Sequence, residues 1–154
     1  MSRKTEILQS IINVWCRDQD IDAVLAHLSD DLVWHYSAIS LPPKHGKTGA
    51  REFLEAYKAK VRNPRWRIFR IAETEDALFV EGVDEFDTAD GHHAVVPYMG
   101  ILEFDGDLIT GWRDYFDRGS ADRSAAGTPL PDFTAALTAR PAALAPASQT
   151  RNPT

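Results

Sequence analysis

Residues 109–117 read Ile-Thr-Gly-Trp-Arg-Asp-Tyr-Phe-Asp, a run with the aromatic content and alternation of a β-strand. Alternation puts Trp112, Asp114 and Phe116 on one face of that strand. A carboxylate between two large aromatic side chains costs free energy unless a ligand or a reaction uses its charge. Asp114 is therefore the first candidate functional residue of the chain.

Helical periodicity comes before this strand, and strand periodicity surrounds it. The apolar spacing predicts a helix over residues 5–18, a second helix capped by Asp20, a strand over 32–36 and a third helix that ends at Asn63-Pro64. Alternation then predicts strands over 65–74, 77–87, 93–104 and 107–117. Because no helix separates these later strands, the order favours an α+β fold. We expect N-terminal helices packed into a strongly curved, mostly antiparallel sheet shaped like a cone.

The composition changes near residue 120. Residues 121–154 hold five of the nine prolines, together with many alanines, serines and threonines. We therefore expect a domain over residues 1–120 with one pocket, followed by a tail over 121–154 that is partly ordered at most. One short helix around Phe133 and Leu137 is expected there, and mobility in the last dozen residues.

Composition also excludes several classes of function. A formal net charge of -6 disfavours a nucleic-acid partner, and no apolar run approaches the roughly 20 residues of a membrane span. The N-terminus lacks the features of a signal peptide, and the single cysteine, Cys16, precludes an internal disulfide, so a cytoplasmic location is expected. The chain has no motif for a metal or for a cofactor, and we expect neither.

A second carboxylate stands in a similar setting on the strand predicted over 77–87. Alternation groups Asp84 with Val80, Gly82 and Phe86 on one mostly apolar face. If that strand lies beside the strand of Asp114, the two carboxylates approach each other. Two carboxylates in one apolar pocket cannot both ionise cheaply, so one keeps its proton and an acid stands beside a base. The alternative is that each aspartate pairs with a nearby arginine, the candidates being Arg67, Arg70 and Arg113.

The strand predicted over 32–36 offers further pocket residues. Trp34 and Tyr36 share a face, and Ala38 follows in the same alternation. Tyr36 is a candidate to hold a water molecule or a substrate oxygen. The residues alone leave open whether these aromatic side chains serve a ligand or only the core.

These motifs together resemble the limonene-1,2-epoxide hydrolase family, which belongs to the SnoaL-like, nuclear-transport-factor-2-like superfamily. The resemblance covers about residues 5–120. Its most specific part is the run at 111–117, supported by Leu41-Pro42-Pro43 with Gly46 and by Glu81-x-Val83-Asp84. It implies a cone fold and a site built from an Asp-Arg-Asp triad, a tyrosine and an asparagine.

Carried over residue by residue, the resemblance makes Asp114 the base that activates water and Asp84 the acid that protonates the epoxide oxygen. Tyr36 matches the tyrosine of the family. Gly82 stands at the position of the bridging arginine, and Ala38 stands at the position of the asparagine. We expect a pocket enlarged at these two positions. The expected substrate-binding residues are Trp34, Ala38, Gly82, Phe86, Trp112 and Phe116.

The sequence thus predicts acid–base catalysis on a small apolar substrate, with epoxide opening by water or by an internal hydroxyl as the favoured reaction. Proton transfer of the ketosteroid-isomerase or polyketide-cyclase type is the alternative enzymatic function. A pocket that binds a small molecule without catalysis is the third hypothesis. A homodimer is expected through the outer sheet face, where Phe79, Val83 and Tyr115 lie.

Overall fold

The computed structural model describes residues 1–147. Two helices come first, a third helix follows the first two strands, and a helical segment follows the last strand. The helices are α1 (Arg3–Asp18), α2 (Ile21–Leu25), α3 (Gly46–Lys60), α4 (Arg118–Ala125) and α5 (Ala135–Thr138), with a 3-10 turn at Asp132–Thr134. The strands are β1 (Leu28–His35), β2 (Lys44–His45), β3 (Val61–Arg62), β4 (Arg67–Glu73), β5 (Ala77–Thr88), β6 (His93–Asp105) and β7 (Leu108–Tyr115).

One curled sheet contains all seven strands in the order β2-β1-β7-β6-β5-β3, and β4 also pairs with β5. Neighbouring strands run antiparallel except β1 and β7, whose pairing is parallel. The sheet wraps around the N-terminal helices, whose apolar faces supply much of the core. The predicted fold class, helices packed into a cone-shaped and mostly antiparallel sheet, is confirmed.

Helix α1 shows why the sequence pattern was informative. The Ser2 side chain accepts a hydrogen bond from the backbone N–H of Thr5 and caps the first turn. The apolar stripe then places Ile7, Leu8, Ile11, Ile12 and Trp15 in the core. Asp20 caps α2 as predicted, since its side chain accepts from Ala23 N–H.

Two details of the strand prediction were wrong, and one condition that it left open is not met; each affects the site. Strand β1 ends at His35, so Tyr36 and Ala38 lie in a turn and do not continue the alternation. Strand β7 ends at Tyr115, which leaves Phe116 just beyond it. Strands β5 and β7 are not neighbours, because β6 lies between them and pairs with both. A hairpin at Asp105-Gly106 joins β6 to β7. Because β7 therefore pairs with one edge of β6, β5 pairs with the opposite edge.

The segment after residue 120 is more ordered than predicted. Helix α4 begins at Arg118 and crosses the expected boundary, and residues 143–147 pack on the domain. Ile68 on β4 exchanges backbone hydrogen bonds with Leu144, whose side chain is 3% exposed. Arg140 binds Glu81 through both side-chain oxygens at 3.1 and 2.7 Å. Residues 143–147 thus pack on the domain, and residues 148–154, where mobility was also expected, lie outside the described part.

The same segment changes the expectation for the outer sheet face. Val83 is fully buried within the chain, so it offers no dimer contact. Its neighbour along the strand, Glu81, is held by Arg140, and the opposite residue, Arg67, donates to the backbone oxygen of Thr138. Phe79 and Tyr115 remain exposed on this face. A homodimer stays a prediction, with a smaller apolar face than the sequence implied.

No helix in the described part of the chain is both long enough and apolar enough to cross a membrane.

Candidate active site

The inside of the cone holds a cavity of about 710 Å³. Helices α1, α3 and α4 and the concave face of the sheet enclose it. Its lining is largely aromatic and includes Trp15, Trp34, Tyr36, Phe53, Tyr57, Trp66, Phe86, Tyr98, Trp112 and Phe116. Asp84 and Asp114 open into this same cavity. A volume of this size suits an organic ligand of several rings or a comparable chain.

The structure brings together seven of the nine residues predicted for the site. Those that line the cavity are Asp84, Asp114, Tyr36, Trp34, Phe86, Trp112 and Phe116. Tyr36 stacks on Phe53 with ring centroids 4.4 Å apart, and it makes no hydrogen bond to either aspartate. Its predicted role as the holder of water therefore has no support from a contact with the carboxylates.

Gly82 and Ala38 do not line the cavity, which corrects the predicted enlargement of the pocket. The space that a side chain at Gly82 would need is filled by the carbonyl oxygen of Arg67 and by the side chain of Ile68. This close approach follows from the pairing of β4 with β5 and its irregularity between Ile68 and Arg70. Ala38 lies in the turn after β1, away from the strand alternation that placed it in the pocket.

Restoring the arginine of the resembling family at this position is therefore expected to harm the protein. Gly82→Arg forces a Cβ against the backbone of β4, and we expect it to lower the free energy of unfolding by about 1–3 kcal/mol. Urea denaturation followed by circular dichroism measures this change. Ala38→Asn is the matched control and should stay within about 0.5 kcal/mol of the parent. An arginine variant with parental stability contradicts the packing described for Gly82.

Asp114 is half-buried on the concave face of β7. Its Oδ1 accepts a hydrogen bond of 3.2 Å from the indole N–H of Trp112. Gly100 lies opposite on β6, and a Cβ there would stand 2.9 Å from Asp114 Oδ1, so the glycine leaves room for the carboxylate. Burial raises the pKa of Asp114 to about 7, the Trp112 bond opposes that rise, and the charge of Asp84 adds to it.

Asp84 is half-buried on β5 and has a different partner. The hydroxyl of Tyr57 on α3 donates a hydrogen bond of 2.6 Å to Asp84 Oδ2. Burial raises the pKa of Asp84, and this hydrogen bond opposes the rise. The two carboxylates influence each other through their charges, but no hydrogen bond joins them among residues 1–147.

The alternative of neutralisation by arginine does not hold for residues 1–147. Within that range, neither aspartate forms an ion pair, because the candidate arginines are engaged elsewhere or at a distance. Arg113 binds Glu103 at 2.7 Å, and Arg67 binds Glu85 at 3.0 Å. Both aspartates thus remain uncompensated by a cation, which is the arrangement that raises carboxyl pKa values toward neutrality.

Three tryptophans stack beside the carboxylates. The rings of Trp34 and Trp112 lie 4.6 Å apart, and those of Trp112 and Trp66 lie 6.0 Å apart. The parallel pairing of β1 with β7 sets Trp34 opposite Trp112. Trp34 is 4% exposed, and its buried indole N–H has no hydrogen-bond partner among the described residues. This N–H nevertheless lies close enough to Asp114 to lower the pKa of that carboxyl.

The position of Trp34 leads to a prediction on pH dependence. Trp34→Phe removes a donor that favours the ionised carboxylate, so the pKa of Asp114 should rise, by up to about one pH unit. Carboxyl-carbon NMR titration of the ligand-free protein measures this. Trp112→Phe serves as the comparator and should raise the pKa further, since its hydrogen bond is complete. A Trp34 variant with the parental pKa, beside a shifted Trp112 variant, contradicts the prediction.

Sequence reasoning missed Tyr57, Tyr98, Trp66 and Gly100. Tyr57 lies on the inward face of α3. Its hydroxyl requires a hydrogen-bond partner, but the sequence did not identify which residue that is. Tyr98 lies on β6 and accepts a hydrogen bond of 2.6 Å from the indole N–H of Trp66. The hydrogen bonds Tyr57–Asp84 and Tyr98–Trp66 each join two different elements, so no local sequence pattern predicts them. No cluster of three His, Cys, Asp or Glu side chains fit for a metal occurs in the described range.

A comparison with known sequence families agrees with the observed fold. The sequence model of the SnoaL-like domain matches residues 10–112, which is more than half of the chain. The chain belongs to the SnoaL-like domain family. The resemblance drawn from the motif run is thereby confirmed at the level of this family. No curated protein sequence matches the chain.

Solved structures of similar shape carry several names. An epoxide hydrolase from Mycobacterium tuberculosis, described as LEH-like, is 24% identical and superposes with a TM-score of 0.67, covering 88% of this chain and 95% of that one. A Bacillus subtilis protein provisionally named an isomerase is 14% identical with a TM-score of 0.70 and coverages of 84% and 96%. A Xanthomonas campestris protein provisionally named a polyketide cyclase is 19% identical with a TM-score of 0.67 and coverages of 82% and 97%. At these identities the likenesses establish the fold, and function must be argued from the site.

Proposed function

We propose that this protein is an enzyme that opens an epoxide on an apolar substrate, with Asp84 and Asp114 as the acid–base pair. The observation that carries the proposal is the pair of half-buried carboxyl groups on one aromatic cavity, neither of which is compensated by a cation of the described chain. A carboxyl group with a pKa of about 7 exchanges its proton most usefully near neutral pH.

The family resemblance assigns the two carboxyl groups different roles. Asp114 in its ionised form accepts the Trp112 hydrogen bond and takes the proton of the attacking oxygen. Asp84 in its protonated form gives its proton to the epoxide oxygen as the C–O bond breaks. The hydroxyl of Tyr57 then stabilises the carboxylate that Asp84 leaves behind. At the end of the reaction Asp84 has lost a proton to the substrate and Asp114 has gained one. Proton exchange with solvent then restores the starting state of the pair.

The attacking oxygen is either water or a hydroxyl of the substrate itself. Ala38 stands where the resembling family holds water with an asparagine, and it lies outside the cavity lining. An internal hydroxyl needs no such holder, and the cavity of about 710 Å³ has room for a substrate that carries one. Incorporation of ¹⁸O from labelled water into the product separates the two reactions.

The test is turnover of a panel of epoxides, some with a hydroxyl placed for ring closure. We expect at least one to be opened enzymatically, and we expect Asp84→Asn to lower kcat/KM by roughly 10²–10⁴-fold. Asp31→Asn, an exposed aspartate on β1, is the matched control. Parental turnover in both the Asp84 and Asp114 variants refutes the acid–base assignment.

A second candidate is proton transfer at a carbon next to a carbonyl group. The pKa of about 7 for Asp114 favours it too, because such a base is well matched to that reaction near neutral pH. Exchange of deuterium from solvent into a ketone probe, with no ring opening of any epoxide, would select this function over the first.

A further inference from the structure

Tyr98 occupies the middle of the concave sheet face, between the two candidate acid–base groups. It lies on β6, the strand that separates β5 from β7. In the registers, Asp84 is opposite Val96 and Asp114 is opposite Gly100, so Tyr98 stands halfway between these positions on the same face. Its ring edge and Asp114 Oδ1 lie side by side above Gly100.

The hydroxyl of Tyr98 has one hydrogen-bond partner among the described residues. It accepts a hydrogen bond from that partner, so its own hydrogen stays available for donation. Trp66 Nε1 donates to Tyr98 Oη at 2.6 Å. Among residues 1–147 the Tyr98 hydroxyl donates to no acceptor, whereas the Tyr57 hydroxyl spends its hydrogen on Asp84. A hydroxyl carries one donor, and leaving that donor unused away from water costs free energy. Because Tyr98 lines the cavity, a ligand is the natural source of the missing acceptor.

The surroundings of Tyr98 determine whether the acceptor on the ligand is charged or neutral. Burial and the charges of Asp114 and Asp84 hold the pKa of Tyr98 well above its ordinary value, so the phenol keeps its proton and remains a donor. The N–H of Trp66 polarises the hydroxyl and makes it a stronger donor. Two flanking carboxyl groups repel an anionic ligand at this point, which leaves a neutral oxygen.

We propose that the Tyr98 hydroxyl, backed by Trp66, anchors a neutral oxygen atom of the ligand, an ether, epoxide or carbonyl oxygen, between Asp84 and Asp114. The inference deepens the proposed function, because it names the donor that holds the reacting oxygen. Tyr98 keeps its proton throughout, and the transferred proton comes from an aspartate. The tyrosine that touches the reacting oxygen is then Tyr98 on β6 and not Tyr36.

A matched pair of probes tests this without any turnover. The probes are 2-acetylnaphthalene and 2-isopropenylnaphthalene, which share shape but differ in the carbonyl oxygen. Isothermal titration should show that the parental protein prefers the ketone by about 2- to 13-fold, the range expected for one net hydrogen bond. Tyr98→Phe should abolish this preference. Tyr115→Phe, which removes a hydroxyl from the outer sheet face, should retain it.

A second measurement reports the contact itself. The carbonyl ¹³C resonance of bound 2-acetylnaphthalene should move downfield in the parental protein and return toward its apolar-solvent value in Tyr98→Phe. Trp66→Phe should give an intermediate position, since it removes only the polarising donor.

Equal affinity for the two probes, no binding of the ketone, or a preference that survives Tyr98→Phe overturns the proposal. The binding result does not depend on epoxide turnover. A ketone preference carried by Tyr98 in a protein that opens no epoxide would keep this inference and reject the reaction, so the two failures are distinguishable.

Discussion

Replacing Asp114 with asparagine is expected to lower kcat/KM by roughly 10²–10⁴-fold on any epoxide that the parental protein converts. The amide matches the carboxylate in shape but can neither accept a proton nor supply one. Steady-state kinetics between pH 5 and 9 measures the effect. The parental activity should also change across pH 7, where Asp114 titrates, and the variant should lose this dependence.

Asp114→Asn should lower activity but raise the free energy of unfolding at alkaline pH. The pKa of Asp114 lies above its value in the unfolded chain, so the folded state binds the proton more tightly. Stability therefore falls as pH rises from about 4 to about 7 and stays low above that. This ionisation costs on the order of 4 kcal/mol at alkaline pH, from the difference in pKa between the two states. Asp114→Asn removes the cost and should be the more stable protein at pH 8.

Asp31→Asn controls for the loss of a charge. It should leave both the activity and the pH dependence of unfolding as they are in the parent, since this aspartate is exposed. A variant at position 114 that is inactive and also less stable at pH 8 would contradict the view that the ionised Asp114 carboxylate destabilises the fold. Such a result would indicate a structural role for the side chain.

Replacing Leu144 with alanine is expected to cost about 2–5 kcal/mol of stability. Leu144 belongs to the main core cluster although it lies far along a segment rich in alanine and proline. Its side chain is 3% exposed, and its backbone is held to Ile68 by hydrogen bonds in both directions. Alanine leaves a cavity beside β4, and thermal or urea unfolding measures the loss.

Leu137 provides the matched control in the same segment. It is 47% exposed, and Leu137→Ala should change the free energy of unfolding by no more than about 0.5 kcal/mol. Equal small effects at both positions would mean that residues 143–147 detach from the domain in solution. The distinction between the two leucines is thus a direct test of the packed C-terminal segment.

Local patterns predicted the elements but not their partners. The cap at Asp20, the apolar stripe of α1 and the alternation along the later strands are signals within a few residues, and they predicted the helices, strands and fold class correctly. The placement of Leu144 depends on a strand edge presented by β4, many residues earlier. One leucine among alanines and prolines has no periodicity, so its burial could not be read from the sequence.

The candidate site divides in the same way. Asp84 and Asp114 were found because a charge interrupts an apolar face of a strand, which is a local signal. Gly82 was misjudged because the atoms that fill its space come from β4, through a backbone irregularity that no residue type announces. Tyr57 and Tyr98 acquire their roles from partners on other elements, Asp84 and Trp66, and only the folded chain shows these pairs.

The parallel pairing of β1 with β7 has a consequence for how the protein is made. Trp34 pairs with Trp112, so one wall of the cavity joins an early strand to the last strand of the sheet. Because β1 is synthesised long before β7, it cannot form this pairing until β7 has left the ribosome. The cavity is therefore completed late, and until then the edge of β1 and the tryptophan faces stay open to unwanted association.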